Sequence, residues 1–400
     1  MFGTAGTEPC LSSSAITLVR TILYVHHGKG IGGAPLSLLY LIRGLDRRRY
    51  HPVVLCIHES EAADLFRDEG LETIVDTRLH DFSHTNVLWY PWWQFPKTVL
   101  RLLQFPRTYF RMRAFLRRRS FDLVHLNTST LTAVGLAARA ERCRVVWHVR
   151  EPLHHGYIGL RRTLIRRIIH RCADVIIPIC HYDAAQLLPS PAVHVVYNFI
   201  DFTLFDVTID GSEIREELDI PPEVGMVLML GGINPIKGTR EFVRAARSVL
   251  AERRDVVFVV AGPIPEDSFR NRINGLCVYR NDVLRTIGDG EKDHFRFLGV
   301  RSDIPRLLAA ANILCFPSTV PHFARPIIEA GAMALPVIAS DVGGPKELVL
   351  HGETGLLVPP RDVTALAHAL IHLLGDADLR HRMGQRAIAV ARERFDAQRN

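Results

Sequence analysis

The 400-residue chain reads as an α/β protein built from two Rossmann-like domains that face a central cleft. Three observations predict this. Short apolar, β-branched runs alternate with helical patterns along the chain, the signature of parallel sheets covered by helices. The alternation pauses at a loop near 200–211 and then restarts, so one sheet precedes the loop and a second follows. The length is sufficient for two full cores.

Residues 1–16 have no basic segment leading into an apolar core, which argues against a signal peptide, and they read as a disordered lead. Residues 17–200 form the first domain. Its strands are expected at 21–26, 52–57, 72–75, 123–126, 144–148, 175–179 and 193–197, with helices between them, among these 35–45 and 160–172. Residues 201–400 form the second domain, with strands at 226–230, 256–261, 295–298, 313–316 and 337–339 and a terminal helix over 379–394. Ligand is expected at the C-terminal ends of both sets of strands.

Apolar content of 48% and charged content of 23% are ordinary for a globular protein. No apolar run reaches the roughly 18 residues of a membrane span. The seven cysteines are scattered, odd in number and never spaced C-x-x-C. They support neither a disulfide framework nor a zinc site, and they fit a reducing cytoplasm. No metal is implied elsewhere, because the single D-x-D, Asp376 with Asp378, reads as a helix cap. Charge is uneven. Residues 1–200 carry 25 Lys/Arg against 15 Asp/Glu, or +10, whereas residues 201–400 carry 24 against 27, or −3. Between Asp81 and Asp122 there is no acid. That window holds Lys97, seven arginines, Trp89, Trp92 and Trp93. The 160–172 helix gathers Arg162, Arg166, Arg167, His170 and Arg171 on one side, and Leu164, Ile165, Ile168 and Ile169 on the side expected to face the core. Arginine mixed with tryptophan suits an anionic membrane surface. Nucleic acid is not favoured, since no base-reading module accompanies the basic surface. A solvated face is the plain alternative.

The most informative stretch is 316–360. It packs a strand, a helix opened by Pro326, a second strand and the Gly343–Gly344 turn into one run. Glu329 lies one turn inside the helix, among apolar or small neighbours that cannot neutralise it. A carboxylate there binds vicinal hydroxyls, and the free N–H groups of the helix start favour phosphate. Diol and phosphate together suggest a nucleotide sugar. Alone, such a Glu could merely complement the helix dipole.

The glutamate has company. Ser318, Phe323, Glu329, Ala330, Ala332, Met333, Ala334, Pro336, Val337, Ile338, Gly343, Gly344 and Glu347 fall in the order of a motif of the retaining, GT-B-fold glycosyltransferases, and the chain resembles that superfamily. LGGINPIKGT resembles its G-R-x-x-x-x-K-G loop, and this implies that Lys237 extends over the diphosphate while Gly231 lets the backbone come close. Two positions depart from the pattern. The usual Arg after the first Gly is Gly232, and the usual first Glu, eight residues before Glu329, is Pro321. The segment GKGIGG gives Gly28, Gly30 and Gly33 a dinucleotide-type spacing, for which Glu59 is the nearest ribose acid. The resemblance instead matches Gly32, Gly33, Ala34, Ser37 and Leu38 to the family's own G-G-A loop, and a structural turn is the third reading. His148, at the end of its expected strand on the cleft edge, resembles the family histidine that bonds the donor sugar. Glu151 follows it, facing acceptor or holding a loop. Asn198 and Asp201 resemble interdomain-loop residues.

The resemblance implies a retaining transfer of a sugar from a nucleoside diphosphate donor to a hydroxyl of a glycan or lipid-linked acceptor. His148 and Lys237 are the expected catalytic pair. Gly32, Gly33, Gly231, Gly232, Lys237, Ala324, Arg325, Pro326 and Glu329 are the expected donor contacts. No cofactor or metal is required, and the expected location is cytoplasmic, peripheral to the inner membrane face. A binder that has lost transfer and a nucleotide-sugar epimerase are the alternatives.

Overall fold

In the computed structural model the described residues are 19–82, 95–155 and 159–400. The disordered lead expected at 1–16 and the three tryptophans of 89–93 lie outside them. The first half contains β1 (Arg20–His26), α1 (Gly33–Arg43), β2 (Tyr50–Cys56), α2 (Glu61–Asp68), β3 (Glu72–Val75), α3 (Phe95–Arg118), β4 (Leu123–Leu126), α4 (Thr132–Ala140), β5 (Arg144–Val149), α5 (Leu160–Cys172), β6 (Val175–Pro178) and α6 (His181–Ala185). The second contains α7 (Ser212–Glu217), β7 (Gly225–Leu230), α8 (Thr239–Glu252), β8 (Val256–Ala261), α9 (Phe269–Ile273), α10 (Leu276–Thr286), β9 (Phe295–Gly299), α11 (Ile304–Ala310) and β10 (Ile313–Phe316). It closes with α12 (Arg325–Ala332), β11 (Val337–Ser340), α13 (Gly343–Leu348), β12 (Gly355–Val358), α14 (Val363–Gly375) and α15 (Ala377–Arg394).

The strands form two six-stranded sheets, ordered β3-β2-β1-β4-β5-β6 and β12-β11-β10-β7-β8-β9. Every named pairing is parallel. Strands such as Val256–Ala261 are buried at every position, as a sheet covered on both faces demands. Each sheet separates two apolar clusters, one per face. Strand order reverses between β1 and β4 in the first sheet and between β7 and β10 in the second. Helices leave on opposite faces at those points, and the loops splay to leave a crevice at the strand C-termini.

Two expectations change. The strand expected at 193–197 reduces to a single bridge between Val193 and Ile176, so β6 is the edge. β12 was not anticipated, because Gly355–Val358 is short and sits beyond a turn. The terminal helix packs on α12 of its own half. The residues after it reach the connection between halves, where Ile200 N–H donates to the Phe395 carbonyl at 2.8 Å and the Arg394 guanidinium lies 5.1 Å from the Tyr197 ring centre.

Candidate active site

The β7–α8 loop supplies Lys237. Its stem runs past Gly231, where a Cβ would come within 2.9 Å of the lysine Cγ. Its ammonium lies 2.7 Å from His322 Nε2 and 5.0 Å from the Phe316 ring centre. Burial lowers the Lys237 pKa to about 8. Burial, together with the neighbouring ammonium, drives the His322 pKa down to about 3, so the imidazole is neutral. Among the described residues no carboxylate pairs with Lys237. A desolvated cation without a counter-ion is poised for an anion.

Gly232 departs from the family arginine for a backbone reason. Its φ is +67°, and a Cβ there would stand 2.1 Å from the Pro263 carbonyl oxygen. The β7 and β8 loops cross at this point, and an L side chain does not fit.

Glu329 is buried in α12, as expected, but its surroundings differ from expectation. Arg325, one turn earlier, donates through Nε to Glu329 Oε1 at 2.7 Å, and each side chain is 11% exposed. The carboxylate therefore has a neutralising partner that the i,i+4 spacing allows. Burial raises the Glu329 pKa while the Arg325 charge pulls it back. Arg325 also reaches across the cleft. Its Nη1 donates to Ser37 Oγ on α1 at 3.0 Å, its guanidinium faces the Tyr40 ring at 5.3 Å, and its Cδ stands 3.9 Å from the position of a Cβ on Gly33. Gly32 is the extended N-cap of α1, so the Gly32–Gly33 turn, Arg325 and Glu329 are brought together. Ala324 caps α12 and Pro326 stands in its first turn, where the missing N–H costs nothing.

The first sheet contributes a buried polar network. Asn127, immediately after β4, donates from Nδ2 to His26 Nδ1 at 3.1 Å across the reversal of strand order. Its Oδ1 accepts from Arg150 Nε at 2.6 Å, Arg150 Nη1 donates to Asn198 Oδ1 at 2.9 Å, and Arg150 Nη2 lies 3.4 Å from His148 Nδ1. His148 also meets His125 at 3.3 Å. With Nδ1 of His26 and His148 assigned as acceptors, each Nε2 carries a proton, and neither has a hydrogen-bond partner among the described residues. Such orphans mark places where a ligand or water completes the bonding. His148 stands one residue before the end of β5, near the strand end where it was expected, and is buried. Arg150 is also buried, and its pKa falls to about 9 through desolvation. Sequence reasoning missed Arg150, His26 and His322. The first two could have been found as polar residues ending or following buried strands.

Other expectations resolve as follows. Glu151 holds the loop after β4, accepting from Thr128 Oγ1, Ser129 N and Ser129 Oγ at 2.6 to 2.8 Å. Glu59, the acid that a dinucleotide site would need, is paired with Arg67 on α2. Asp376 accepts from Leu379 N–H at 2.7 Å and caps α15, and Asp201 accepts from Thr203 in the interdomain connection. Glu347 links the halves, accepting from the His181 and Tyr182 N–H groups at 2.8 and 2.6 Å and from the Tyr197 hydroxyl at 3.1 Å.

The basic surface also changes. Arg101, Arg111, Arg113, Arg117 and Arg119 on or just after α3 pair with Asp81, Asp76, Glu141, Glu141 and Glu72, acids that lie outside the helix in sequence. The unpaired basic face belongs instead to α5, where Arg166, Arg167 and Arg171 are exposed and make no ion pair among the described residues. Leu164, expected in the core, is 40% exposed beside them, and Leu160 is 71% exposed. No helix among the described residues is long and apolar enough to cross a membrane.

The chain is similar to known proteins along most of its length. Residues 31–204 match the family model described as Glycosyltransferase Family 4, and residues 210–390 match Glycosyl transferases group 1. An N-acetyl-α-D-glucosaminyl L-malate synthase of Bacillus anthracis is 26% identical over 80% of this chain and 81% of its own. A D-inositol 3-phosphate glycosyltransferase of Corynebacterium efficiens is 32% identical over 68% and 61%. Other relatives are matched over about half of their own length. The Anabaena protein HepE, solved in complex with UDP-glucose, superimposes with a TM-score of 0.74 over 94% of this chain and 96% of that one, at 23% identity. The chain belongs to the GT-B glycosyltransferase superfamily, with a family 4 first half and a group 1 second half.

Proposed function

We propose that the chain moves a sugar, with retention, from a nucleoside diphosphate sugar to a hydroxyl of a glycan or lipid-linked acceptor. The C1–O bond to the β-phosphate breaks with its electron pair going to phosphate, the acceptor oxygen bonds to C1, and the acceptor proton passes to the departing diphosphate. Glu329 takes the ribose hydroxyls, Lys237 the diphosphate, and the amides at Ala324 and Arg325 the phosphate or sugar. His148 closes on the sugar through its Nε2–H, and the Gly32–Gly33 turn closes the reacting end. No step calls for a metal. One observation carries the reading: Lys237, desolvated and without a carboxylate partner among the described residues, stands at the reversal of strand order in the same half as the buried carboxylate of Glu329. Support for the donor class comes from HepE, whose structures hold UDP and UDP-glucose.

The first half receives the acceptor in this reading, close to an anionic membrane. The unpaired arginines and exposed leucines of α5 support that placement, since each basic group near such a surface contributes on the order of 1 kcal/mol. A thermal-shift screen across UDP-, GDP-, ADP- and dTDP-sugars tests the donor class, and stabilisation by none of them removes it. Flotation with anionic vesicles tests the surface, and failure to float at low salt ends that part. Gly232 favours a second reading, a nucleotide-sugar binder without transfer, because one diphosphate contact is sterically barred. Transfer or hydrolysis of the donor by purified protein eliminates it.

A further inference from the structure

Pro321 stands where the family motif has its first glutamate, and the polar group beside it is His322. Three features build His322 into the second half's crevice. Its Nδ1 is fixed by the Val320 carbonyl at 3.0 Å and the Ser318 hydroxyl at 3.2 Å, which leaves Nε2 as an acceptor for the Lys237 ammonium at 2.7 Å. The two loops that carry the pair are fastened together. Thr319 N–H donates to the Ile236 carbonyl at 3.0 Å, Thr319 Oγ1 donates to the Pro235 carbonyl at 2.8 Å, and a Cβ on Gly238 would strike the Pro317 carbonyl at 1.9 Å. The start of α13 clamps His322 from behind, since a Cβ on Gly344 would come within 2.7 Å of its carbonyl oxygen. The β7 and β10 loops flank the reversal of strand order, so this contact spans the crevice where ligand is expected.

An ammonium has three N–H donors. His322 takes one, and the Phe316 ring lies beneath the charge. We propose that His322 is the positioning residue of the leaving-group site: a neutral acceptor that aims the Lys237 ammonium, with its charge unspent, at the diphosphate as the bond to the sugar breaks. A carboxylate in the same place would also aim the lysine, but it would neutralise the charge that the departing phosphate needs. An apolar group would leave the ammonium free to swing. This inference rests on the nucleotide-sugar reading above.

The test compares His322→Leu, His322→Gln and His322→Glu with the unaltered chain, using UDP-glucose, UDP-N-acetylglucosamine, GDP-mannose and ADP-glucose and measuring nucleoside diphosphate release. If the unaltered chain binds and cleaves none of them, the donor reading itself fails and this inference falls with it. With an active donor, His322→Leu should lower kcat about 10- to 100-fold and leave the donor KM within about threefold, the pattern of lost transition-state alignment. His322→Gln, whose amide oxygen can accept from Nζ, should restore most of the rate. His322→Glu should raise the donor KM more than about tenfold, because the lysine is then held in an ion pair. The inference is overturned, with the donor reading intact, if His322→Leu keeps full kcat or if Gln rescues no better than Leu. If the Leu variant does not fold, Gln and Glu variants of equal melting temperature decide: equal activities overturn the proposal, and an active Gln beside an impaired Glu upholds it.

Discussion

Glu329→Ala removes the carboxylate that Arg325 Nε reaches at 2.7 Å, and the consequences divide between stability and binding. The guanidinium is left 11% exposed with its Nε unanswered. Orphaning a buried donor costs about 1–3 kcal/mol, and the lower half of that range applies because Nη1 keeps Ser37 and the ring of Tyr40 still faces the charge. About 1–2 kcal/mol lowers the melting temperature by roughly 2–8 °C in a domain of this size. Loss of the ribose contact is a separate term of about 1–3 kcal/mol, or roughly 5- to 150-fold in Kd. Glu329→Gln separates the two, since its amide oxygen can still accept from Arg325 while the charge is gone. It should regain most of the melting temperature and little of the affinity. Scanning fluorimetry reads the first effect, and calorimetry with UDP and UDP-glucose reads the second. A lower melting temperature with unchanged Kd would make Glu329 a counter-ion to Arg325 and no more. No change in either would refute the argument entirely.

Four further outcomes follow from the structure. Lys237, with its pKa lowered to about 8, should give turnover an alkaline limb near that pH, and Lys237→Arg should move the limb upward; a flat profile to about pH 9.5 contradicts this. A depressed lysine pKa costs stability below about pH 8, a cost relieved as pH rises toward the unfolded value, so Lys237→Met should melt higher than the parent at pH 7 by the equivalent of about 1 kcal/mol, and less so near pH 10. Asp183 is buried, and burial raises its carboxyl to about 7, with Glu151 and Glu347 adding to the rise against a Cys180 hydrogen bond. A raised acid pKa means stability is fully present below the unfolded pKa and is lost as pH climbs through about 7, so Asp183→Asn should gain over the parent between pH 6 and 8 in melting scans; a constant difference across that range would show that Asp183 does not titrate there. Gly232→Arg, which restores the family residue, should destabilise rather than activate: a left-handed φ costs about 1–2 kcal/mol before the clash with Pro263 is counted, and an active, equally stable variant would contradict the backbone argument.

The chain's periodicity was enough to place both sheets, because a fully buried parallel strand must be apolar at every position and must alternate with a helix. Val256–Ala261 and Ile313–Phe316 announce themselves in that way. Glu329 stood out as a charge among apolar and small neighbours near a helix start, and Lys237 stood out only through the resemblance of its loop to the family pattern. What the sequence could not show was what each charge meets. Arg325 was visible four residues before Glu329, yet only folding revealed that it pairs with that carboxylate while touching Ser37, 288 residues away. The arginines of α3 looked like an open basic face until acids from other elements closed on Arg101, Arg111, Arg113 and Arg117, whereas Arg166, Arg167 and Arg171 of α5 are exposed without an ion pair among the described residues. His322 carried no signal at all, since the group it meets is a lysine 85 residues earlier. Periodicity is a property of neighbours along the chain, so sequence fixes elements and their buried faces. Electrostatic partnership depends on distance in space, and two loops brought together at a reversal of strand order have no shared mark in the sequence.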